Sequence, residues 1–268
     1  MTFANYDPTG DPGPSFAGLL RQLGHAPDYR LTDHRQSAPT DFPEITQGTT
    51  VVAATFADGV VIAGDRRATS GNLISHRNMN KVFPADRWSG VAIAGAAGPA
   101  LEMVKMFQLQ LEHYEKVEGR PLSLEGKANQ LSQMVRQHLP AAMQGMVVVP
   151  LFAGYDRRRG FGRLFAYDVT GGRYEEDNFV ASGSGSLFAR TVIKLGHHDD
   201  NTHDEAIDLM IRALFTAADD DSATGGPDSM RGIYPIVAVI TADGYAELGE
   251  SDIAERFERV LAEFTEGD

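Results

Sequence analysis

The sequence predicts an α+β fold, a four-layer α-β-β-α sandwich. Three observations carry this. Strand-like and helical runs come in blocks: strands, two helices, strands, two helices, strands, then a closing helix. Several strand runs are apolar almost continuously, as expected of strands buried on both faces. The first long helix and the closing one each show an apolar stripe. Two sheets packed face to face with helix layers outside would cover every one of those apolar surfaces. The chain has 268 residues, enough for one large core, and it shows no internal repeat and no second domain boundary.

The elements follow in order. "TTVVAATF" and "GVVIAGD" are β-rich runs joined at Asp58-Gly59, a strong hairpin signal. "KVFPA" and "GVAIAGA" read as two more strands. Val104, Phe107, Leu111 and Tyr114 recur at helical spacing and place a helix over about Pro99 to Glu118. A second helix runs from about Ser123, a candidate cap, to Met143, with Pro140 bending or shortening its end. "MVVVPLFAGYD", "GRLFAYDVTGG" and "RYEEDNFVASG" read as three strands. Helices then start near Ser186 and cover Asp204 to Ala218. "IYPIVAVIT" and "YAELGE" are the last strands. Ser251 to Glu266 closes the chain, its apolar face formed by Ile253, Phe257, Val260, Leu261 and Phe264.

Residues 1–48 differ from all of this. Asp, Pro, Gly, Ser and Thr punctuate them, and one apolar patch, Phe16 to Leu23, could make two helical turns. Such a segment cannot bury enough surface to fold alone. It is either a disordered tail or a pro-segment, with the catalytic domain expected over 49–268.

Composition narrows the chemistry. There are no cysteines, so disulfides, a thiol nucleophile and Cys-ligated zinc are excluded. A net charge of -13 argues against nucleic-acid binding, which depends on neutralising phosphates. No apolar run reaches membrane-spanning length and no secretory signal opens the chain; a cytoplasmic protein is expected. No H-E-x-x-H occurs, and His197, His198 and His203 read as a solvated loop. "GSGSLF" lacks the Lys-Ser/Thr of a phosphate loop, and no G-x-S-x-G elbow occurs. No metal or organic cofactor is expected.

Thr49 remains. It follows Gly48 at the boundary where the composition changes. A threonine hydroxyl is a weak nucleophile that needs a base. At a chain start the α-amine is that base: with a pKa of about 7.7–8.0, roughly a third is neutral at pH 7.5, against about one in a thousand lysines. Such chemistry requires removal of residues 1–48. For Thr49 to cut its own chain its hydroxyl must swing back onto the Gly48 carbonyl, a tight backbone that glycine permits. Thr50 reads only as the first step of a strand.

From Thr49 to about Leu261 the sequence resembles the β-subunits of proteasomes, most closely the actinobacterial type. The matching stretches include "GTTVVA", "GVVIAGDRRAT", "NKVF", "IAGAAG", "LEHYEKVEG", "AAMQGMVVVPLFAGYD", "SGSGSLFA" and "AADDDSATGGPD". They are spread over most of the mature chain and are far more specific together than any one motif. The resemblance implies the N-terminal-nucleophile hydrolase fold, in agreement with the sandwich. It makes Thr49 the nucleophile and its freed amine the base. Asp65 and Lys81 match the family's acid–lysine pair, in which a nearby ammonium disfavours a second positive charge and so keeps the Thr49 amine neutral. Gly95 matches the oxyanion position. Ser184, Asp221 and Thr224 match a supporting polar cluster; the family often has serine where Thr224 stands, and the hydroxyl is kept. Taken singly, Asp65 would be a turn residue and Lys81 a surface charge.

Pocket-lining positions correspond to Ala68, Met79, Phe83, Ile93, Ala97 and Leu101. None is charged, so hydrophobic P1 side chains are expected to be favoured. Thr69 and Ala97 match positions that pair with extended substrate; plain strand packing is the alternative reading for them. The resemblance further implies heptameric β-rings stacked between α-subunit rings, an ATPase ring acting through the α-rings, and unfolded proteins as substrates. The rival readings are a non-catalytic β-ring subunit, a small-molecule amidohydrolase of the same fold, and the simpler bacterial two-ring ATP-dependent peptidase. The intact Thr49, Asp65 and Lys81 set speaks against the first, and "DDDSATGG" against the last.

Overall fold

Strand β1 (Thr50–Phe56) turns through Ala57 and Asp58 into β2 (Gly59–Gly64), antiparallel from Val51↔Gly64 to Phe56↔Gly59. This is the hairpin that Asp58-Gly59 foretold. The structure, a computed structural model, describes residues 48–71 and 73–266, with side chains described as far as Ala262. All of them belong to one compact unit, Pro43–Asp268. The Phe16–Leu23 patch lies outside the described residues, as does the side chain of Phe264.

Two five-stranded antiparallel sheets form the interior. The first has the order β10-β1-β2-β11-β12 and the second β5-β6-β7-β8-β9. Their strands are β5 (Val82–Asp86), β6 (Ser89–Gly95), β7 (Val148–Asp156), β8 (Phe161–Tyr167), β9 (Arg173–Glu176), β10 (Phe179–Gly183), β11 (Ile236–Thr241) and β12 (Gly244–Glu247). Period-two alternation sorts their side chains onto two faces. Val51, Ala53, Val60, Ile62, Ala92 and Leu151 meet in the layer between the sheets. Val52, Val61 and Val239 point the other way, onto helices α3 (Ser186–Gly196), α4 (His203–Asp220) and α5 (Glu250–Glu266). Val91, Ile93, Phe152 and Phe165 point outward from the second sheet onto α1 (Ala97–Glu118) and α2 (Leu124–Ala142). Three apolar layers between four structural layers make the α-β-β-α sandwich.

The helix boundaries agree with the expected ones to within two residues. The Ser123 hydroxyl caps α2 by accepting from the Gly126 N–H at 3.1 Å. Pro140 sits in the last turn of α2, which ends two residues later. Thr202 and Glu205 form a reciprocal capping box at the start of α4.

Two expectations change. "RYEEDNFVASG" is not one strand: β9 pairs with β8 in the second sheet and β10 with β1 in the first. The chain bends at Asp177-Asn178, and the Asn178 carbonyl accepts from the Thr55 N–H at 2.8 Å, tying the corner to β1. An unanticipated hairpin, β3 (Ala68–Ser70) and β4 (Leu73–His76), stands apart from both sheets. Its strands are too short and β4 too exposed for any periodic signal to develop.

Candidate active site

The predicted site residues come together because of where strands end. Thr49 immediately precedes β1, and Ser184 immediately follows β10. The β1–β10 register sets Thr50 opposite Gly183, which places Thr49 opposite Ser184. The Ser184 N–H donates to the Thr49 carbonyl at 2.8 Å, and the Thr49 N–H donates to the Ser184 hydroxyl at 3.3 Å. Asp65 follows the last residue of β2, in the first sheet. Lys81 precedes the first residue of β5, in the second sheet. Gly95 ends β6, the neighbour of β5. The loop after α4 brings Asp221 and Thr224 to the same end of the sandwich.

Asp65 and Lys81 are both buried, at 0% and 1% exposure. The Lys81 ammonium donates to Asp65 Oδ1 at 2.6 Å and to the Arg67 carbonyl at 2.5 Å. Asp65 Oδ1 also accepts from the Thr50 N–H at 2.8 Å. Its Oδ2 accepts from the N–H groups of Arg67 at 2.9 Å and Gly225 at 2.7 Å. Four donors therefore saturate one buried carboxylate, which is what a buried ion pair needs to persist. Burial pushes the Lys81 ammonium below the ordinary lysine value; attraction and hydrogen bonding to Asp65 oppose this but leave it lowered.

A second network lies beside the first. Asp221 Oδ2 accepts from the Ser184 hydroxyl at 2.5 Å and from the Thr224 hydroxyl at 2.6 Å. Because Ser184 donates its only hydroxyl proton to Asp221, it is an acceptor toward the Thr49 nitrogen. Burial alone would raise the Asp221 carboxyl. The bonds from Ser184, Thr224 and the Ala223 N–H, with the Arg67 charge, outweigh it and hold the group below the usual range.

Thr50 is not merely a strand residue. Its hydroxyl is 2.6 Å from that of Thr224 and accepts from the Gly185 N–H at 3.0 Å. Thr224 gives its own proton to Asp221, so Thr50 donates to Thr224. The two networks are thus joined through one residue, its N–H on Asp65 and its hydroxyl on Thr224. The signal was present in the sequence: a polar residue heading a fully buried apolar strand needs a partner. Arg67 had no such signal, because it works through its backbone and through a guanidinium bond to the Ser222 carbonyl at 3.0 Å.

Glycine is required at two positions for different reasons. Gly95 has φ +108°, and a Cβ there would lie 2.1 Å from the Val147 carbonyl oxygen, so both conformation and space exclude a side chain. Gly48 was expected to supply an unusual backbone. The requirement seen here is close approach: a Cβ on Gly48 would lie 1.9 Å from the Ala223 Cβ.

Of the expected substrate-contacting residues, Thr69 reaches Gly48: its hydroxyl accepts from the Gly48 N–H at 2.9 Å. Ala68 is its buried neighbour on β3. Phe83, Ile93 and Leu101 join one apolar cluster between the second sheet and α1, with Ile93 almost wholly covered. Ala97 opens α1 and is half-buried, as is Met79, whose N–H bonds the Arg66 carbonyl. Among the described residues no group of three or more His, Asp or Glu side chains could hold a metal ion. His198 has its N–H on the Asn201 side chain and His203 opens α4.

Comparison with known proteins bears on this arrangement. Residues 45–231 match the family described as "Proteasome subunit". A "Proteasome subunit beta" of Acidimicrobium ferrooxidans is 54% identical over 255 residues, covering 93% of this chain and 90% of the relative. One of Streptomyces griseus is 59% identical over 218 residues, covering 81% and 78%. One of Jonesia denitrificans is 53% identical over 248 residues, covering 91% and 80%.

Proposed function

This chain belongs to the proteasome subunit family, and on that premise we propose how its residues perform the reaction. It is a β-type subunit of a proteasome core particle and a threonine peptidase, a hydrolase that assembles with other subunits. The observation that carries the mechanism is the saturated Asp65–Lys81 pair, tied through Thr50 to the residue before it.

In our reading residues 1–48 are a pro-segment. The Thr49 hydroxyl attacks the Gly48 carbonyl, the C–N bond breaks, and an ester to Thr49 Oγ forms with the amine released. Water then hydrolyses the ester, and residues 1–48 leave with a carboxylate at Gly48. Turnover repeats the same logic on a substrate. The neutral amine takes the Thr49 hydroxyl proton as oxygen attacks the peptide carbonyl. The Gly95 N–H stabilises the oxyanion, a donor worth about 3–4 kcal/mol in such sites. The proton passes to the departing amine, and water releases the acyl group. Lys81 holds a positive charge near Thr49 that keeps the amine neutral, and Asp65 holds Lys81. Ser184, fixed by Asp221, accepts from the Thr49 nitrogen and keeps it aimed.

The substrates in this reading are unfolded proteins, cut after hydrophobic P1 residues that seat against Met79, Phe83, Ile93, Ala97 and Leu101, with Ala68 and Thr69 along the chain. The particle is a four-ring stack with heptameric β-rings between α-rings, fed by an ATPase ring, in the cytoplasm. Among the described residues no helix is long and apolar enough to cross a membrane. The test is a peptide panel differing only at P1. Assembled wild type hydrolyses leucyl and tyrosyl peptides at least about tenfold faster than aspartyl or lysyl ones, since an unpaired charge in an apolar pocket costs about 1–3 kcal/mol or more. Thr49→Ala is inactive on all of them. A basic or acidic preference contradicts the pocket assignment; activity in Thr49→Ala contradicts the nucleophile.

A further inference from the structure

We infer that Ala223 is a specificity-determining residue for self-cleavage, a wall that restricts the residue before the scissile bond to glycine; this rests on the reading that Thr49 cuts its own chain. A Cβ built on Gly48 lies 1.9 Å from the Ala223 Cβ, 2.7 Å from its Cα and 2.8 Å from its carbonyl oxygen. Carbon atoms in contact ordinarily lie about 3.5–4.0 Å apart. All three obstacles belong to a residue without flexible side-chain atoms that could swing aside.

Neither side of this contact can retreat cheaply. Gly48 is held from the other direction, its N–H on the Thr69 hydroxyl of β3. Ala223 is held by the loop that carries it. Its own N–H donates to Asp221 Oδ1 at 3.1 Å. Before it, the Ser222 carbonyl accepts from Arg67 at 3.0 Å. After it, the Thr224 hydroxyl bonds Asp221 and Thr50, and the Gly225 N–H bonds Asp65 Oδ2 at 2.7 Å. Moving the wall therefore moves the groups that hold Asp65 and Asp221 in place. A side chain at position 48 is penalised by the machinery it would need.

A consequence separates two specificities of one nucleophile. Self-cleavage admits only glycine on the acyl side, because Ala223 fills the space of a side chain. A substrate with a large apolar P1 residue cannot seat that residue where Gly48 lies, and takes another path to Thr49. The rule for maturation and the rule for turnover are set by different residues.

The experiment is a double-mutant cycle on the full chain in assembled particles, reading the rate at which the Thr49 N-terminus forms by intact mass. Gly48→Ala is measured with Ala223 intact and in the Ala223→Gly background. With Ala223 intact, Gly48→Ala slows cleavage about 100-fold, the rate equivalent of overpacking a tight contact. The Ala223→Gly background removes the 1.9 Å contact and leaves those to the Cα and the carbonyl oxygen, so there the same substitution still slows cleavage but costs about threefold less or better. Equal penalties in both backgrounds overturn the inference. Ala223→Val with Gly48 unchanged guards against misfolding of the double variant: cleavage slowed about tenfold or more, in particles of normal size and melting temperature, supports the wall, and wild-type cleavage overturns it. Thr49→Ala separates the two levels, since cleavage that persists there removes the self-cleavage reading itself.

Discussion

At the scale of single residues, Thr50 and Lys81 bear the sharpest consequences. Thr50→Val keeps the shape and removes one hydroxyl. It strands the Gly185 N–H and takes away the proton that Thr224 receives, both in a buried setting. A loss of about 1–3 kcal/mol is expected in denaturant unfolding, together with slower peptide hydrolysis, because Thr224 and Asp221 lose their anchor. Lys81 sets a pH limit. Its ammonium is lowered from 10.5 by burial, against the pull of Asp65. Between that lowered value and 10.5 the unfolded chain still binds the proton that the folded chain has released, so the Lys81 contribution to stability rises with pH there. Activity moves the opposite way, since the charged form is the one paired with Asp65. The rate profile should climb as the Thr49 amine loses its proton, at or below about 7.7–8.0, and fall again at a pH below the ordinary lysine value. A rate that stays flat up to the titration of exposed lysines would remove Lys81 from the chemistry.

At the scale of elements, one arginine binds the second sheet to its helix layer. Arg163 on β8 is almost fully buried. It donates to Asp156 at the end of β7 at 2.9 Å, to Glu175 on β9 at 2.6 and 2.7 Å, and to Glu125 at the start of α2 at 2.9 Å. Burial alone would raise the Asp156 carboxyl; Arg163 and the N–H groups of Arg158 and Arg159 hold it below its ordinary value. A carboxyl lowered by folding stabilises above its unfolded value and loses that contribution as pH falls through the folded one. Arg163→Met should therefore cost about 3–5 kcal/mol near neutrality, as loss of one partner from a buried pair does, and should flatten the acid limb of the stability curve. Unchanged unfolding midpoints at pH 7 and pH 4 would refute this. None of the Arg163 network was visible in sequence, because its partners lie 7, 12 and 38 residues away on three elements. What sequence did reveal follows from local rules. Asp58-Gly59 marked the first hairpin, Ser123 the start of α2, and alternating runs such as "TTVVAATF" the strands. The β9–β10 corner was hidden because "RYEEDNFVASG" keeps strand character across the point where the chain changes sheets. The β3–β4 hairpin was hidden because Leu73 and Ile74 face outward. At the site, Thr49 was legible at the boundary where the composition changes, and Asp65 and Lys81 only through the family resemblance, since each alone reads as a turn residue or a surface charge; the Arg67 carbonyl, the Gly225 N–H and the bulk of Ala223 leave no mark in residue type.

At the scale of the whole molecule, the sandwich brings the ends of five strands and one loop to a single edge. β1 and β5 start there; β2, β6 and β10 finish there. The two sheets contribute one member each to the Asp65–Lys81 pair, so the ion pair forms only when the sheets are stacked. The chain with Gly48 still joined to Thr49 already holds these hydrogen bonds, and in the proposed mechanism the freed amine is what cleavage would add. The central claim is that Thr49 creates its own amine. It is tested most directly by intact mass and N-terminal sequencing of assembled wild type and Thr49→Ala, with peptide hydrolysis measured on the same samples. The account predicts a new N-terminus at Thr49 and turnover in wild type only. Wild type that keeps residues 1–48 while fully active, or Thr49→Ala that is still cut after Gly48, would contradict it.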